Sequence, residues 1–579
     1  MPFGILIASW TNRPTIGECQ FFRLAKSYAL PRKEHMPTHT APCNHLIEIE
    51  FCSGKPYQHP FLDITLDATF TEPGGRHITV PAYWAGDNRW VVRYASPIVG
   101  VHPYATACND MDNPGLHQIQ GVVTVTPYQG DNPLLRHGAP KVAADKRHFS
   151  HADGTPFFWL GDTWWLGLTK RLSWPADFQA LAKDRHDKGF TVVQIVAGLY
   201  PDMPAFDPRG ASVAGFPWEA DFSQINPAFF DEADARIMHL VDLGLCPCIL
   251  GGWGYYLTWM GTEKMKQHWR YIMARWGALP VVFAAAGEQM MPWYLSDNRE
   301  TEAAWLKQEW SGVVRCMRGI NGFNRLITTH PQDSARSCVD DPGLLDFEMQ
   351  QTGHGSPTPS HATRATEGWH TRPAMPVISA ESRYEALEIT PEVTTADARQ
   401  AFWAHMLNSG CAGHTYGANG VWQVNRKNDP FGNSPSGSNW GVTPWRQAMQ
   451  LPGSAQLAKA KALLLTLPWQ RLEPMVPPPN RRWMKLLKLL QRRPAHQQPV
   501  AAAATEDGEV AVYYFLNAEP IGIDPRQLSK AAEAFWFDPA SGAVTSIDLT
   551  TDHMPLVPPG NNAGNDADWI LVVKNHRRG

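Results

Sequence analysis

The 579-residue chain lacks any run of 18 apolar residues, so nothing in it reads as a membrane-spanning helix. It has little net charge. The 51 Lys and Arg nearly cancel the 55 Asp and Glu, leaving −4, and without a basic face nucleic acid is not the expected partner. Cysteine is scarce: nine, odd in number and scattered. That is no disulfide scaffold, and it fits a reducing compartment. No GxSxG elbow, Walker A loop or GxGxxG after a first strand occurs, which removes the usual esterase, nucleotide and dinucleotide readings. No HExxH occurs and no two candidate His residues sit at close ligand spacing, so neither a metal nor another cofactor is expected. The opening MPFGILIASWTN has an apolar run but no basic leader and no small-residue cleavage site. A cytoplasmic protein is expected on that ground. A periplasmic or secreted one is the alternative, since Met36 offers a second start.

Aromatic residues are abundant instead: 24 Trp, 24 Phe and 15 Tyr. Such rings either fill a core or stack on the apolar faces of sugars. Residues 1–44 read as an irregular tail. Over 45–135, short alternating runs at 46–51 (LIEIEF), 66–70 (LDATF), 76–80 (RHITV), 90–94 (WVVRY) and 122–126 (VVTVT) are broken by Gly and Pro, which predicts a β-sandwich.

From Phe149 the texture changes to short apolar strands alternating with amphipathic helices. Eight strands are expected at 157–161, 191–195, 246–250, 281–284, 325–329, 344–347, 376–379 and 412–415. Helices are expected at 175–188, 227–243, 262–276 and 395–408, among others. That count over 140–467 predicts a (β/α)8 TIM-type barrel, with a doubly wound sheet as runner-up. Strands return over 470–579, which reads as a second small β-sandwich. The fold class is therefore α/β: a barrel flanked by two small β domains. Between them, 480–493 reads as a short basic amphipathic helix that docks its leucines on the body, with a membrane-surface or acidic-partner role as the alternative.

A barrel of this kind works at the C-terminal ends of its strands. There the sequence gathers Asp162, Trp164 and Trp165 after strand 1, Trp253 after strand 3, Glu288 after strand 4 and His330 after strand 5. Gln351 and His354 follow strand 6; Glu381, Tyr384 and Glu385 follow strand 7; His414, Tyr416 and Trp422 mark strand 8. Carboxylates, imidazoles and rings on one rim suit a polyol. Glu288 and Glu381 are the expected catalytic pair: strands 4 and 7 face each other across a barrel, and glycoside hydrolysis needs two carboxyl groups about one bond. The alternative is that either pairs with a rim arginine such as Arg383. The other twelve rim residues are expected to bind substrate. Against that, Asp162 could cap a helix, the histidines could be ordinary hydrogen-bonded rim residues, and about half of the tryptophans should be core. Cys246 and Cys248 share a strand face and read as packing.

These segments also resemble a known family. Residues 157–165 (FFWLGDTWW), 189–194 (GFTVVQ), 376–385 (PVISAESRYE) and 410–417 (GCAGHTYG) resemble the apiosidase-like glycoside hydrolases, whose barrel is labelled DUF4038. Residues 45–130 resemble the DUF5060 sandwich that precedes this barrel, and 470–579 resemble the C-terminal domain named for collagen binding. The resemblance implies a retaining-type barrel, with acid/base Glu288 and nucleophile Glu381. In the pectin apiosidases the acid/base position is an Asp after a Gly; here Gly287 precedes Glu288, one methylene longer. The larger clan has Asn where this chain has Gly287. The expected activity is exo-acting removal of a terminal sugar by a two-carboxylate, retaining mechanism. An inverting or transglycosylating variant, a non-catalytic carbohydrate-binding barrel and an adhesion protein are the alternatives. The expected partner is a carbohydrate, and the barrel or its β flanks offer surfaces for a homo-oligomer.

Overall fold

The computed structural model describes residues 37–475, 497–521, 531–548 and 556–575. The expected basic helix at 480–493 and most of the expected tail lie outside the described residues. Thr38–Pro42, expected within that tail, is a strand pairing in parallel with Gln120–Thr126. Ladder hydrogen bonds hold it, and of its side chains only Ala41 is buried, so it carries little hydrophobic pattern to read.

The N-terminal strands form a five-stranded and a three-stranded sheet. Strict alternation in Leu66–Thr71 and Gly100–Cys108 turns one row of side chains inward. Phe70 stacks on Tyr94 at 3.8 Å between ring centroids. Where this unit meets the next, Arg93 and Arg275 share the buried carboxylate of Asp234 at 2.5 and 2.6 Å. Four hydrogen bonds, two from Arg93 and one each from Arg275 and the Trp276 indole, make such a buried group tolerable.

Eight strands then form one parallel sheet: β1 (Trp159–Trp164), β2 (Val192–Val196), β3 (Cys246–Leu250), β4 (Val282–Ala284), β5 (Ile327–Thr328), β6 (Glu348–Gln351), β7 (Val377–Glu381) and β8 (Gly413–Tyr416). The order is β5-β4-β3-β2-β1-β8-β7-β6. The β5–β6 seam is spanned just before β6: Asp346 N–H bonds Ile327 O at 2.9 Å and the Thr328 hydroxyl bonds Phe347 O at 2.8 Å. The structure is a TIM-type barrel. Phe149 packs beneath it against Trp159 and Phe347.

Three strand expectations shift: β1, expected at 157–161, runs Trp159–Trp164 and contains Asp162 and Trp164 rather than preceding them. The apolar run 344–347 is not β6; Pro342–Leu344 is a 3-10 turn, and Leu345 and Phe347 pack into the core ahead of the strand. The true β6 is polar, with Glu348 buried against Arg336 (3.0 Å) and Ser334 (2.6 Å). β7 runs two residues further than expected, so Glu381 is its last residue rather than a follower.

After the barrel, the described strands form one six-stranded antiparallel sheet from Leu472–Pro474 to Trp569–Asn575. It packs on the barrel helix Thr395–Asn408 through Trp403 against Tyr514, and through Arg399 paired with buried Asp568 at 2.6 Å.

Candidate active site

At the C-terminal ends of the barrel strands lies a cavity of about 240 Å³. Trp165, Trp253, Glu288, Gln351, His354, Glu381, Tyr384 and Trp422 line it, as the rim pattern predicts. His330 lies against them, its ring edge-on to Trp165 at 5.3 Å.

The β4 backbone does not end cleanly. Gly287 N–H bonds Gly252 O, and Gly254 N–H bonds Gly287 O, each at 2.8 Å. The next residue, Glu288, has φ +41°, an uncommon conformation for a side chain with a Cβ. Gln289 N–H, bonded to His330 O at 3.2 Å, ties the chain on the other side. Strain of this kind persists only where neighbours over-determine it, and here it directs a carboxyl into the cavity. Gly287 is required on packing grounds: a Cβ there would stand 2.2 Å from the Trp253 ring. That ring occupies the space a larger residue before the glutamate would need.

Glu288 accepts from the Trp253 indole at 3.1 Å and from Gln351 Nε2 at 3.2 Å. Burial, and then the charge of Glu381, push its carboxyl up to about 7. Glu381 is also buried, which alone would raise it. The His354 hydrogen bond at 3.0 Å, the charges of His354 and His330 and the Tyr384 hydroxyl outweigh burial and hold it below the ordinary carboxylate value. His354 Nδ1 bonds the Ser382 carbonyl at 2.6 Å. A carbonyl only accepts, so Nδ1 carries a proton. Nε2 then donates to Glu381 only as imidazolium, in keeping with a His354 pKa that is raised despite burial.

One nitrogen bridges the pair. Gln351 Nε2 donates to Glu288 Oε1 at 3.2 Å and to Glu381 Oε1 at 2.9 Å. Two oxygens held by one nitrogen at these distances stand no more than about 6 Å apart. One carboxyl is thus set to hold a proton near neutrality while the other stays ionised, across a gap that fits one bond.

The other expected residues lie elsewhere. Asp162 and Trp164 point outward from β1, because side chains alternate along a strand. Asp162 is fully buried against Arg185 (2.6 Å) and the Trp164 indole (2.7 Å), and Trp164 packs on Phe178. His414 faces outward beneath Phe402. Tyr416 donates to Glu385, which also accepts from Gly453 N–H at 3.0 Å, so this group ties β7 and β8 to a later helix. None of these five lines the cavity. Arg383 pairs with Asp397 at 2.5 Å and leaves both catalytic candidates unclaimed. Cys246 and Cys248 are buried, and burial raises both thiols.

Sequence reasoning missed Asp202, Met291, Tyr294, Gln332, Leu387 and Trp440, which together with Pro201 complete the cavity wall. They sit on loops beyond the strand ends. Only the blank after strand 2 could have signalled Asp202, since that strand was left without a rim residue.

The model of the apiosidase-like catalytic domain matches residues 143–471, more than half the chain. The chain belongs to the apiosidase-like family. It is therefore a glycoside hydrolase, with the cavity at the family barrel's working end. Residues 40–109 match a domain of unknown function, DUF5060, and 489–574 match the model of a collagenase domain named for collagen binding. Among solved structures, a family 5 glycoside hydrolase from Bacteroides vulgatus ATCC 8482 is similar at 21% identity, covering 78% of this chain and 96% of its own, with a TM-score of 0.61. A structure titled glycoside hydrolase gives 21% identity, 78% and 100% coverage and a TM-score of 0.60. These likenesses speak to the fold. No curated protein matches the apiosidase-like chain.

Proposed function

We propose that this protein removes a single terminal sugar from a glycan or glycoside by a retaining, two-carboxylate mechanism. The observation that carries the reading is the pair Glu288 and Glu381, bridged by Gln351 and shifted in opposite directions. Ionised Glu381 attacks the anomeric carbon as Glu288 delivers its proton to the departing oxygen. That step breaks the glycosidic bond and leaves a glycosyl ester on Glu381. Glu288, now ionised, takes a proton from water as the water oxygen attacks the same carbon. The ester bond breaks, Glu381 is freed and Glu288 is again protonated. A spacing of no more than about 6 Å between the bridged oxygens favours direct attack; an intervening water in the inverting route needs about 6.5–9.5 Å. The cavity, about 240 Å³, is smaller than the roughly 300–1,000 Å³ of drug-sized pockets. That supports one buried ring and exo action.

The test is a panel of aryl pentofuranosides and hexosides of both anomers, with wild type beside Glu381→Gln and Glu288→Gln. The expected result is release of one sugar by wild type and a loss of about 10² or more in both variants. Turnover that survives both substitutions would overturn the assignment. Sugar binding by all three proteins without turnover would favour a binding platform.

A further inference from the structure

A third carboxyl group shares the cavity, and the two-carboxylate mechanism does not use it. Asp202 lies in the loop after β2 and is 7% exposed. Its φ is +58°, in the left-handed region that Asp tolerates better than most residues. The surrounding loop is pinned. The Tyr255 hydroxyl bonds the carbonyls of Tyr200 (3.0 Å) and Met203 (3.2 Å). Arg209 is clamped on Asp207 at 2.8 Å and reaches the Asp202 carbonyl at 3.4 Å. The carboxyl is itself held: Oδ1 accepts from the Tyr294 hydroxyl, on the loop after β4, at 2.7 Å. A strained backbone, a pinned loop and a dedicated phenol hold one acidic group at a cavity wall, and the fold gives it no cationic partner for its side chain.

Two further observations say what such a group meets. The indole N–H of Trp422, in the cavity wall, is buried without a hydrogen-bond partner among the described residues, while the Trp440 indole beside it bonds the Asp202 carboxyl. A ligand that accepts from an indole and donates to a carboxylate satisfies both kinds of group, and a sugar hydroxyl does both through one oxygen. The wall, moreover, has no Lys or Arg but carries Asp202, Glu288 and Glu381. An anionic sugar entering it would face the ionised Glu381 and, in Asp202, a carboxyl that burial already raises above its ordinary value, with His354 already engaged by Glu381.

Resting on the glycosidase reading above, we propose that Asp202, positioned by Tyr294, is a specificity-determining residue that binds hydroxyl groups of the terminal sugar and restricts the cavity to uncharged glycones. Sugars carrying a carboxylate or sulfate on the terminal ring are excluded.

The test compares matched aryl glycosides of a neutral sugar, its uronic acid and its monodeoxy analogues, on wild type, Asp202→Asn, Asp202→Ala and Tyr294→Phe. Wild type is expected to favour the neutral glycoside over the uronide by about 10² or more in kcat/KM. Asp202→Asn keeps the shape and the acceptor for Tyr294, and is expected to lose about 10- to 100-fold, the range for a hydrogen bond to a charged group. For one deoxy analogue the wild-type penalty should vanish in Asp202→Ala. A merely structural role would instead lower all substrates alike. Uronides processed as well as the neutral sugar, or a deoxy penalty unchanged in Asp202→Ala, would overturn the proposal. Should no glycoside turn over, the mechanism has failed rather than the subsite. Calorimetry of the neutral monosaccharide and its uronate then decides: neutral-only binding that weakens in Asp202→Asn sustains the proposal, and equal binding of both sugars or by both proteins ends it.

Discussion

Replacing Trp253 by Phe removes the indole N–H that donates to Glu288 Oε2 at 3.1 Å and keeps an aromatic ring in place. That bond favours the ionised carboxyl, so it opposes the burial and the Glu381 charge that bring Glu288 up to about 7. A hydrogen bond to a charged group is worth about 1.5–3 kcal/mol, and one pKa unit corresponds to about 1.4 kcal/mol. The Glu288 pKa in the variant should therefore rise by about one to two units. Glu288 acts in its protonated form, so the alkaline limb of kcat/KM must follow it upward, from near 7 to about 8 or 9. The assay is kcat/KM across the pH range on the best aryl glycoside. The height of the profile falls as well, because Trp253 lines the cavity, so the position of the limb is the readout. A limb that stays near 7, or moves to lower pH, would refute either Glu288 as the acid or the stated cause of its shift.

The remaining predictions concern the same network and its surroundings. His354→Ala removes the bond and charge that hold Glu381 low, so the acid limb of kcat/KM should move to higher pH and the bell should narrow; an unmoved acid limb counts against Glu381 as the ionised group. Glu288→Gln should melt higher than wild type above pH 7. The folded pKa of about 7 exceeds the ordinary glutamate value of 4.5, so wild type loses up to about 3 kcal/mol as pH rises through that window; below about pH 4.5 the two proteins should melt alike. Asp162→Ala leaves Arg185 buried without its 2.6 Å partner, which should destabilise by about 3–5 kcal/mol, read by thermal or denaturant melting, while KM stays as in wild type.

The barrel was legible because its strands are short apolar runs between longer helices; Thr262–Trp276 falls where its amphipathic pattern ends, and Thr395–Asn408, buried almost all round, starts at the capping box of Thr394 and Asp397. β6 was not, because Glu348, Gln350 and Gln351 make it polar, Gln350 reaching Arg364 O of the helix Thr358–His370 at 3.0 Å, and a polar strand has no hydrophobic signature. The rim was legible as a neighbourhood, since strand ends converge in any such barrel. Which residues face the cavity was less so. Asp162 and Trp164 differ from Thr163 and Trp165 only in parity, and parity depends on where the strand begins, which short apolar runs leave open by a residue or two. Glu385 and Tyr416 are as polar as Gln351 and Tyr384, yet they satisfy each other behind the wall. Asp202, Tyr294 and Trp440 reach the cavity from loops whose course depends on tertiary contacts such as Tyr255 on Tyr200 and Met203.

The central claim is that Glu381 forms a covalent bond to the sugar while Glu288 manages the proton. The most direct measurement is to inactivate the enzyme with an activated 2-deoxy-2-fluoro glycoside of the sugar it releases, digest it, and find the labelled peptide by mass spectrometry. The account predicts time-dependent inactivation, with one sugar attached to Glu381. A label on another residue, or turnover without any covalent species and with a first product of inverted configuration, would contradict it.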